Sequence, residues 1–322
     1  MRRRRALGIT VGALVQVLCC ALSLAIGSER LPLDRVWGAL AGYDPDAALI
    51  VLEQRMLRTL LGGLVGSGLG VDDAVMQAFT RNPLADPGIL GVNAGTGLAV
   101  AGATAVFEFT SLSATIWFAF IGAVCAAFVV YLIGLATGGP DPLRLMLAGV
   151  AIGAFLCWVT SAIVLLLPRV FDQMRGWNAG SIASVPPGGF VAVTPFIVLG
   201  LVLALVIAKP LNTLALGDGL ATALGSRIKS VRIVSILSVT FVCAAATATA
   251  GPIGFVGLMV PHVVRWFTGP DQRWIIGGSM VAAPSLLLAS DLVGRVALRS
   301  GELPVGIVTA FIGAPVLIIL VR

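Results

Sequence analysis

The stretch VAVTPFIVLGLVLALVIA, from Val191 to Ala208, runs eighteen residues without one charged side chain. A bilayer core of about 30 Å needs about 20 helical residues, so an uncharged apolar run of this length reads as a membrane span. Pro186-Pro187-Gly188-Gly189 before it and Lys209-Pro210 after it are natural breaks. Working outward, similar runs lie near 6–27, 59–79, 89–107, 114–136, 145–167, 233–250, 274–294 and 304–321. A shorter run at 252–267 is interrupted by Gly and Pro. The fold class is therefore all-α: a polytopic membrane protein with about ten transmembrane helices, read as one domain over 1–322.

Composition agrees. Of 322 residues, 58% are hydrophobic and 11% charged, against about 25% charged in soluble domains. Mean hydropathy is +1.03. The 39 glycines suit close approach of helices in lipid, where small residues carry much of the packing. The five cysteines, Cys19, Cys20, Cys125, Cys157 and Cys243, lie in apolar stretches without C-x-x-C spacing and read as small hydrophobes, so no metal is expected. The net charge of +6 is scattered between spans and forms no stripe for nucleic acid. The basic start Met1–Arg5 precedes an apolar region of about 21 residues, too long for a signal peptide.

Orientation follows from Lys and Arg. With the N-terminus inside, inner segments hold 13 of the 21 basic residues and four acids, whereas outer segments hold eight of each. Both termini are then expected in the cytoplasm, with 209–232 as the longest inner loop. The outer stretch 168–190, rich in Pro and Gly, is expected to hold one short helix.

The catalytic inventory is nearly empty. There is no G-x-x-x-x-G-K-[ST] nucleotide loop, and the single histidine, His262, leaves little scope for His-based chemistry. The chain reads as a transport subunit, not an enzyme, with no cofactor of its own. Energy must come from a partner or an ion gradient.

Four polar features stand out. In Arg81-Asn82-Pro83-Leu84-Ala85-Asp86-Pro87 two prolines stop a helix, and Asn82 and Asp86 can bond freed backbone groups: a rigid turn or a partner contact. In 209–232 an acidic start at Asp218, a helical Leu220–Leu224 and a stop at Gly225 suggest a short helix, anchoring to headgroups or to a partner. Arg55 and Arg58, one turn apart, and Arg295 sit at the outer ends of spans, where they snorkel or dock a partner; nothing in their own spans demands their charge. Asp291 has i,i+4 geometry for an ion pair with Arg295.

Several blocks resemble the permeases of iron-siderophore and vitamin B12 ABC importers, the FecCD/BtuC-like family. They are Arg55–Thr59, Met76–Gly95, Leu216-Gly217-Asp218 with Ala223-Leu224-Gly225, Gly251–His262, Asp291–Arg295, Glu302–Gly306 and Gly313–Pro315. The wording of Asn82–Pro87, Gly91–Gly95 and Asp172–Ser181 looks most like the enterobactin-type subunit. The resemblance implies a type II ABC importer permease fold for ferric siderophores and iron uptake, in the cytoplasmic (inner) membrane. It implies alternating access with a second permease subunit, heterodimer favoured over homodimer. Two ATPase subunits that bind ATP and Mg, and an extracytoplasmic substrate-binding protein, complete the assembly. It places ATPase coupling at Leu216, Gly217, Asp218, Ala221, Leu224 and Gly225, and binding-protein docking at Arg55, Arg58 and Arg295.

One departure matters: Asp72 and Asp73 stand where the family has small residues before Met76-Gln77. Each intramembrane carboxylate costs about 2.5–3.5 kcal/mol on insertion scales. Asp72, Asp73, Met76 and Gln77 are candidate pathway residues. An ion-coupled secondary transporter using these carboxylates is the alternative reading.

Overall fold

Within a bilayer the backbone must satisfy its own hydrogen bonds, so each apolar run closes into a helix. The computed structural model describes residues 2–27, 31–44, 48–107, 112–135, 142–183, 185–298 and 301–321. Helix α1 (Arg2–Ala25) is followed by the short α2 (Leu33–Leu40) and a π-helical segment (Leu49–Met56) continuous with α3 (Leu57–Thr80). A 3-10 turn (Pro87–Leu90) leads to α4 (Val92–Phe107), α5 (Leu112–Leu135) and α6 (Pro142–Leu166). Then come α7 (Pro168–Asn178), α8 (Pro187–Ala215), α9 (Asp218–Ala223) and α10 (Ile228–Ala250). The chain ends with α11 (Val256–Thr268), α12 (Gln272–Val296) and α13 (Val305–Val321). Among the described residues six helices are long and apolar enough to cross a membrane, and the other expected spans are shorter or less apolar helices.

Burial separates helices that hydropathy does not. The apolar windows of α6 and α10 have mean hydropathies of 2.2 and 2.0, yet 6% of the first is buried and 78% of the second. The buried interior is built around α3, whose neighbours include α12, α8, α10 and α11. Glycines let these backbones meet. A Cβ on Gly66 would lie 2.6 Å from the Pro284 Cα, so α3 and α12 touch main chain to main chain there. Ser67 Oγ donates to the Met280 carbonyl of α12 at 2.8 Å, and Ser238 Oγ of α10 to the Gly200 carbonyl of α8 at 2.7 Å.

Two elements differ from the sequence expectation. The span expected at 59–79 begins its helix at Leu49 through the π-helical turn, which carries Arg55. The expected inner loop 209–232 is largely helical, because α8 runs on to Ala215 and α10 begins at Ile228. Between α10 and α11 the chain reverses through Gly251 (φ 70°) and Phe255 (φ 69°). With 13 residues, α11 is about 20 Å long and cannot cross alone.

Candidate functional site

Helix α3 carries polar side chains at both ends and in its C-terminal half. Near its N-terminal end, Asp291 of α12 binds two arginines. Arg58 donates from Nη2 to Oδ1 at 2.7 Å and from Nε to Oδ2 at 3.0 Å. Arg295 donates from Nη2 and Nε to Oδ2 at 2.7 and 2.9 Å, the i,i+4 pair that the spacing suggested. Arg58 Nη1 also reaches Glu302 Oε2 at 2.7 Å. Arg295 Nη1 caps the end of α1, donating to the carbonyls of Ser23 and Ile26 at 2.8 and 2.9 Å. Arg55 Nη1 does the same to Leu24 and Ala25, both at 2.9 Å.

The structure therefore corrects one expectation: the surroundings do demand these charges. Arg55, Arg295 and Asp291 are buried, and Arg58 nearly so. A buried carboxylate between two guanidinium forks is stable only while all partners stay. The three arginines, Glu53 and Glu302 line a cleft of about 500 Å³.

In the C-terminal half of α3, Asp72, Asp73, Met76 and Gln77 are all buried. Both Asp72 oxygens, Asp73 Oδ1 and both polar atoms of Gln77 lack hydrogen-bond partners in the structure. The position of Asp73 depends on a glycine across the interface, since a Cβ on Gly257 of α11 would overlap its carboxylate. No arginine or lysine lies within ion-pair distance of either aspartate among the described residues. They stand inside one subunit, one helical step apart.

At its C-terminal end, α3 stops at Arg81, which adopts the left-handed conformation (φ 54°). Its side chain holds that turn, donating from Nε to the Leu214 carbonyl at 3.0 Å and from Nη2 to Asp218 Oδ1. Asp218 Oδ2 accepts from Arg232 Nη2 of α10 at 2.8 Å. Asp218 is thus the joint between the end of α3, the start of α9 and α10. In the following turn Asn82 Oδ1 accepts from the Leu84 N–H at 3.0 Å. Asp86 Oδ1 caps the 3-10 turn by accepting from Gly88 N–H at 2.6 Å, with Pro87 first in that turn. Burial raises the Asp86 carboxyl above the ordinary carboxylate range, and the Gly88 N–H offsets part of the rise.

Helix α9 is bounded by Gly217 (φ 107°) and Gly225 (φ 73°), positions that L side chains avoid. Gly225 N–H bonds the Thr222 carbonyl and Ser226 N–H the Ala221 carbonyl, both at 2.9 Å, which closes the helix in a Schellman motif. Leu220 on α9 and Leu224 at its C-cap, spaced i,i+4, are 59% and 63% exposed, and Leu216, ahead of Gly217 at the end of α8, is 59% exposed. Ala221 is buried on the packing side of α9. From the sequence, Leu220 falls on the short helix and Arg81 in the adjoining turn, but the bonds of Arg81 and Arg232 to Asp218 needed the fold.

The model of the FecCD transport family matches residues 14–322. The chain belongs to the FecCD transport family. Members similar to this FecCD chain include the ferric enterobactin transport system permease protein FepD of Escherichia coli (strain K12), 46% identical over 99% of this chain and 96% of the relative. The iron(3+)-hydroxamate import system permease protein FhuB of Bacillus subtilis (strain 168) is 37% identical over 98% of this chain and 82% of its own length. The cobalamin import system permease protein BtuC of Halobacterium salinarum is 36% identical over 98% of this chain and 86% of its own. A solved metal-chelate type ABC transporter in an inward-facing conformation superposes with a TM-score of 0.87 at 26% identity, over 97% of this chain and 98% of that one. The FecCD chain is therefore a multi-pass permease subunit of an ABC importer with the type II fold, a transport subunit and not an enzyme.

Proposed function

We propose that this permease moves ferric siderophore-type chelates into the cytoplasm by alternating access, driven by ATP hydrolysis on partner ATPases that hold the ATP and Mg. The relatives named above serve enterobactin, hydroxamate and cobalamin systems, all of which handle bulky metal chelates. The orientation places both termini and α9 in the cytoplasm, on the basis of the Lys and Arg distribution.

The observation that carries the reading is the group of exposed leucines on and beside α9. Leu216, Leu220 and Leu224 stand exposed around a short helix outside the apolar run of α8 and call for a protein partner, and Asp218 turns back into its own subunit. A cytoplasmic ATPase fits those leucines, with α9 seated in its surface and Gly217 and Gly225 setting the angle. The Asn82–Pro87 turn stands beside it as a rigid support. A carrier driven by Asp72 and Asp73 would have no use for such a group. Those aspartates, with Met76 and Gln77, are assigned a place beside the pathway, open to it in another state of the cycle. On the outer side, acidic side chains of a substrate-binding protein meet Arg58 at the cleft, while Arg55 and Arg295 position it. A second, related permease completes the pathway as a heterodimer.

The test is co-purification with a candidate ATPase subunit co-expressed with the chain, together with uptake of radiolabelled ferric enterobactin in cells. Leu216→Ser with Leu220→Ser and Leu224→Ser should insert normally, lose the ATPase and lose uptake. Retained ATPase and uptake would overturn the coupling assignment. Uptake abolished by a protonophore at constant ATP would instead favour the ion-coupled mechanism.

A further inference from the structure

Helices α1, α11 and α12 leave an apolar groove of about 220 Å³ at the end of the bundle that holds the N-terminus. Leu7, Val11, Val264, Phe267 and Val281 line it, and Gly8, Gly12 and Gly278 give it depth. Leu7, Val11 and Phe267 are more than half exposed or at that limit, so the groove opens sideways to lipid. Gly12 contributes free space, because a Cβ there would only reach ordinary contact with Val281 at 3.6 Å.

Arg5 marks one end of this groove. Thr268 lines it, and its carbonyl accepts from Arg5 Nε at 2.8 Å. The Arg5 guanidinium also lies 5.4 Å from the centre of the Trp274 ring, so its position is fixed from two sides. Arg4 is exposed beside it on α1, and Arg265 is half-buried on the last turn of α11. Among the described residues none of Arg4, Arg5 and Arg265 has an ion pair. The carboxylate at the start of α12, Asp271, is already engaged by Arg273 and Asn212. A half-buried, unpaired arginine is costly unless an anion completes it. Trp266, 69% exposed on α11, adds the aromatic marker of a membrane–water interface.

We propose that this groove is a binding site for one anionic glycerophospholipid: an acyl chain lies between α1, α11 and α12, and the phosphate sits against Arg5 and Arg265. The apolar channel ends at Thr268, whose carbonyl holds Arg5, and Arg265 stands three residues earlier on α11, an arrangement suited to a lipid with a charged head and an apolar tail. A zwitterionic lipid supplies the tail but brings its own cation to the arginines, so the site prefers net negative charge.

Native mass spectrometry of the full-length chain in mild detergent tests this with dioleoyl phosphatidylglycerol and dioleoyl phosphatidylcholine as matched probes. Phosphatidylglycerol should be retained in preference. Each of Arg5→Gln and Arg265→Gln should weaken its binding about fivefold, with phosphatidylcholine unchanged. Gly12→Leu should reduce both lipids by filling the groove while the arginines stay. If Arg5→Gln does not fold, Arg265→Gln and Gly12→Leu decide. Equal retention of the two lipids by the unaltered chain, or undiminished phosphatidylglycerol binding in Arg265→Gln and Gly12→Leu, overturns the proposal. So does loss of the lipid when the second permease joins, which would make this face a subunit contact.

Discussion

Asp291 holds the arginine cluster together, and it does so across a large sequence distance. Its i,i+4 bond to Arg295 is local and was legible in the spacing. Its bond to Arg58 joins positions 233 residues apart, which no period in the sequence encodes. Removing one partner of a buried ion pair costs about 3–5 kcal/mol, because the remaining charges stay buried and uncompensated. Asp291→Ala should therefore lower stability by about that amount in thermal unfolding of the detergent-solubilised chain, and adding Arg295→Met should restore part of it. Asp72 and Asp73 present the opposite case: buried polar atoms with no partner in the structure. Replacing both with Asn keeps their shape and removes their capacity for charge. If the pair takes part in transport, uptake falls while membrane insertion holds; unchanged uptake would remove them from the mechanism.

At the scale of elements, helix positions were legible because apolar runs and their Gly and Pro boundaries are local signals. Helix contacts were not. Gly63 and Gly66 are one turn apart on α3, yet nothing lies within 4 Å of a Cβ at Gly63, whereas one at Gly66 would press on Pro284 backbone. Gly66→Ala should destabilise the chain by about 1–3 kcal/mol, the usual range for overpacking, while Gly63→Ala should be neutral or stabilising by about 0.4–1 kcal/mol through reduced unfolded-state entropy. Unfolding midpoints of the two variants, measured side by side, check this. The sequence also located α9, since Asp218 and Gly225 mark a short helix. Which face it offers emerged only when Ala221 proved buried and the leucines exposed. Gly225→Val places a β-branched residue at φ 73°, a region that costs an L residue about 1–2 kcal/mol. It should leave insertion intact and lower uptake per ATP hydrolysed in reconstituted vesicles.

For the whole molecule, orientation is the most exposed expectation. Cysteines placed at Tyr43 and at Ser226, in a background without the five native ones, should react with a membrane-impermeant maleimide from opposite sides; same-side labelling would overturn the arrangement of spans. Charge placement and hydropathy suffice for such a forecast because insertion into a bilayer is decided span by span, by transfer of apolar side chains from water to lipid. For the same reason the sequence by itself determined the all-helical membrane class, the short interrupted segment before His262 and the family, whose motifs are contiguous. Only the tertiary structure decided which helices are central. Lipid and protein interior are equally apolar, so α6 and α10 look alike in hydropathy although one is mostly exposed and the other mostly buried. It also decided that Arg55, Arg58 and Arg295 are bound within the subunit and that Asp218 joins α3 to α9 and α10. Those bonds depend on which helices meet, and that is settled by close contacts at glycine and alanine, which leave no periodic trace in the chain.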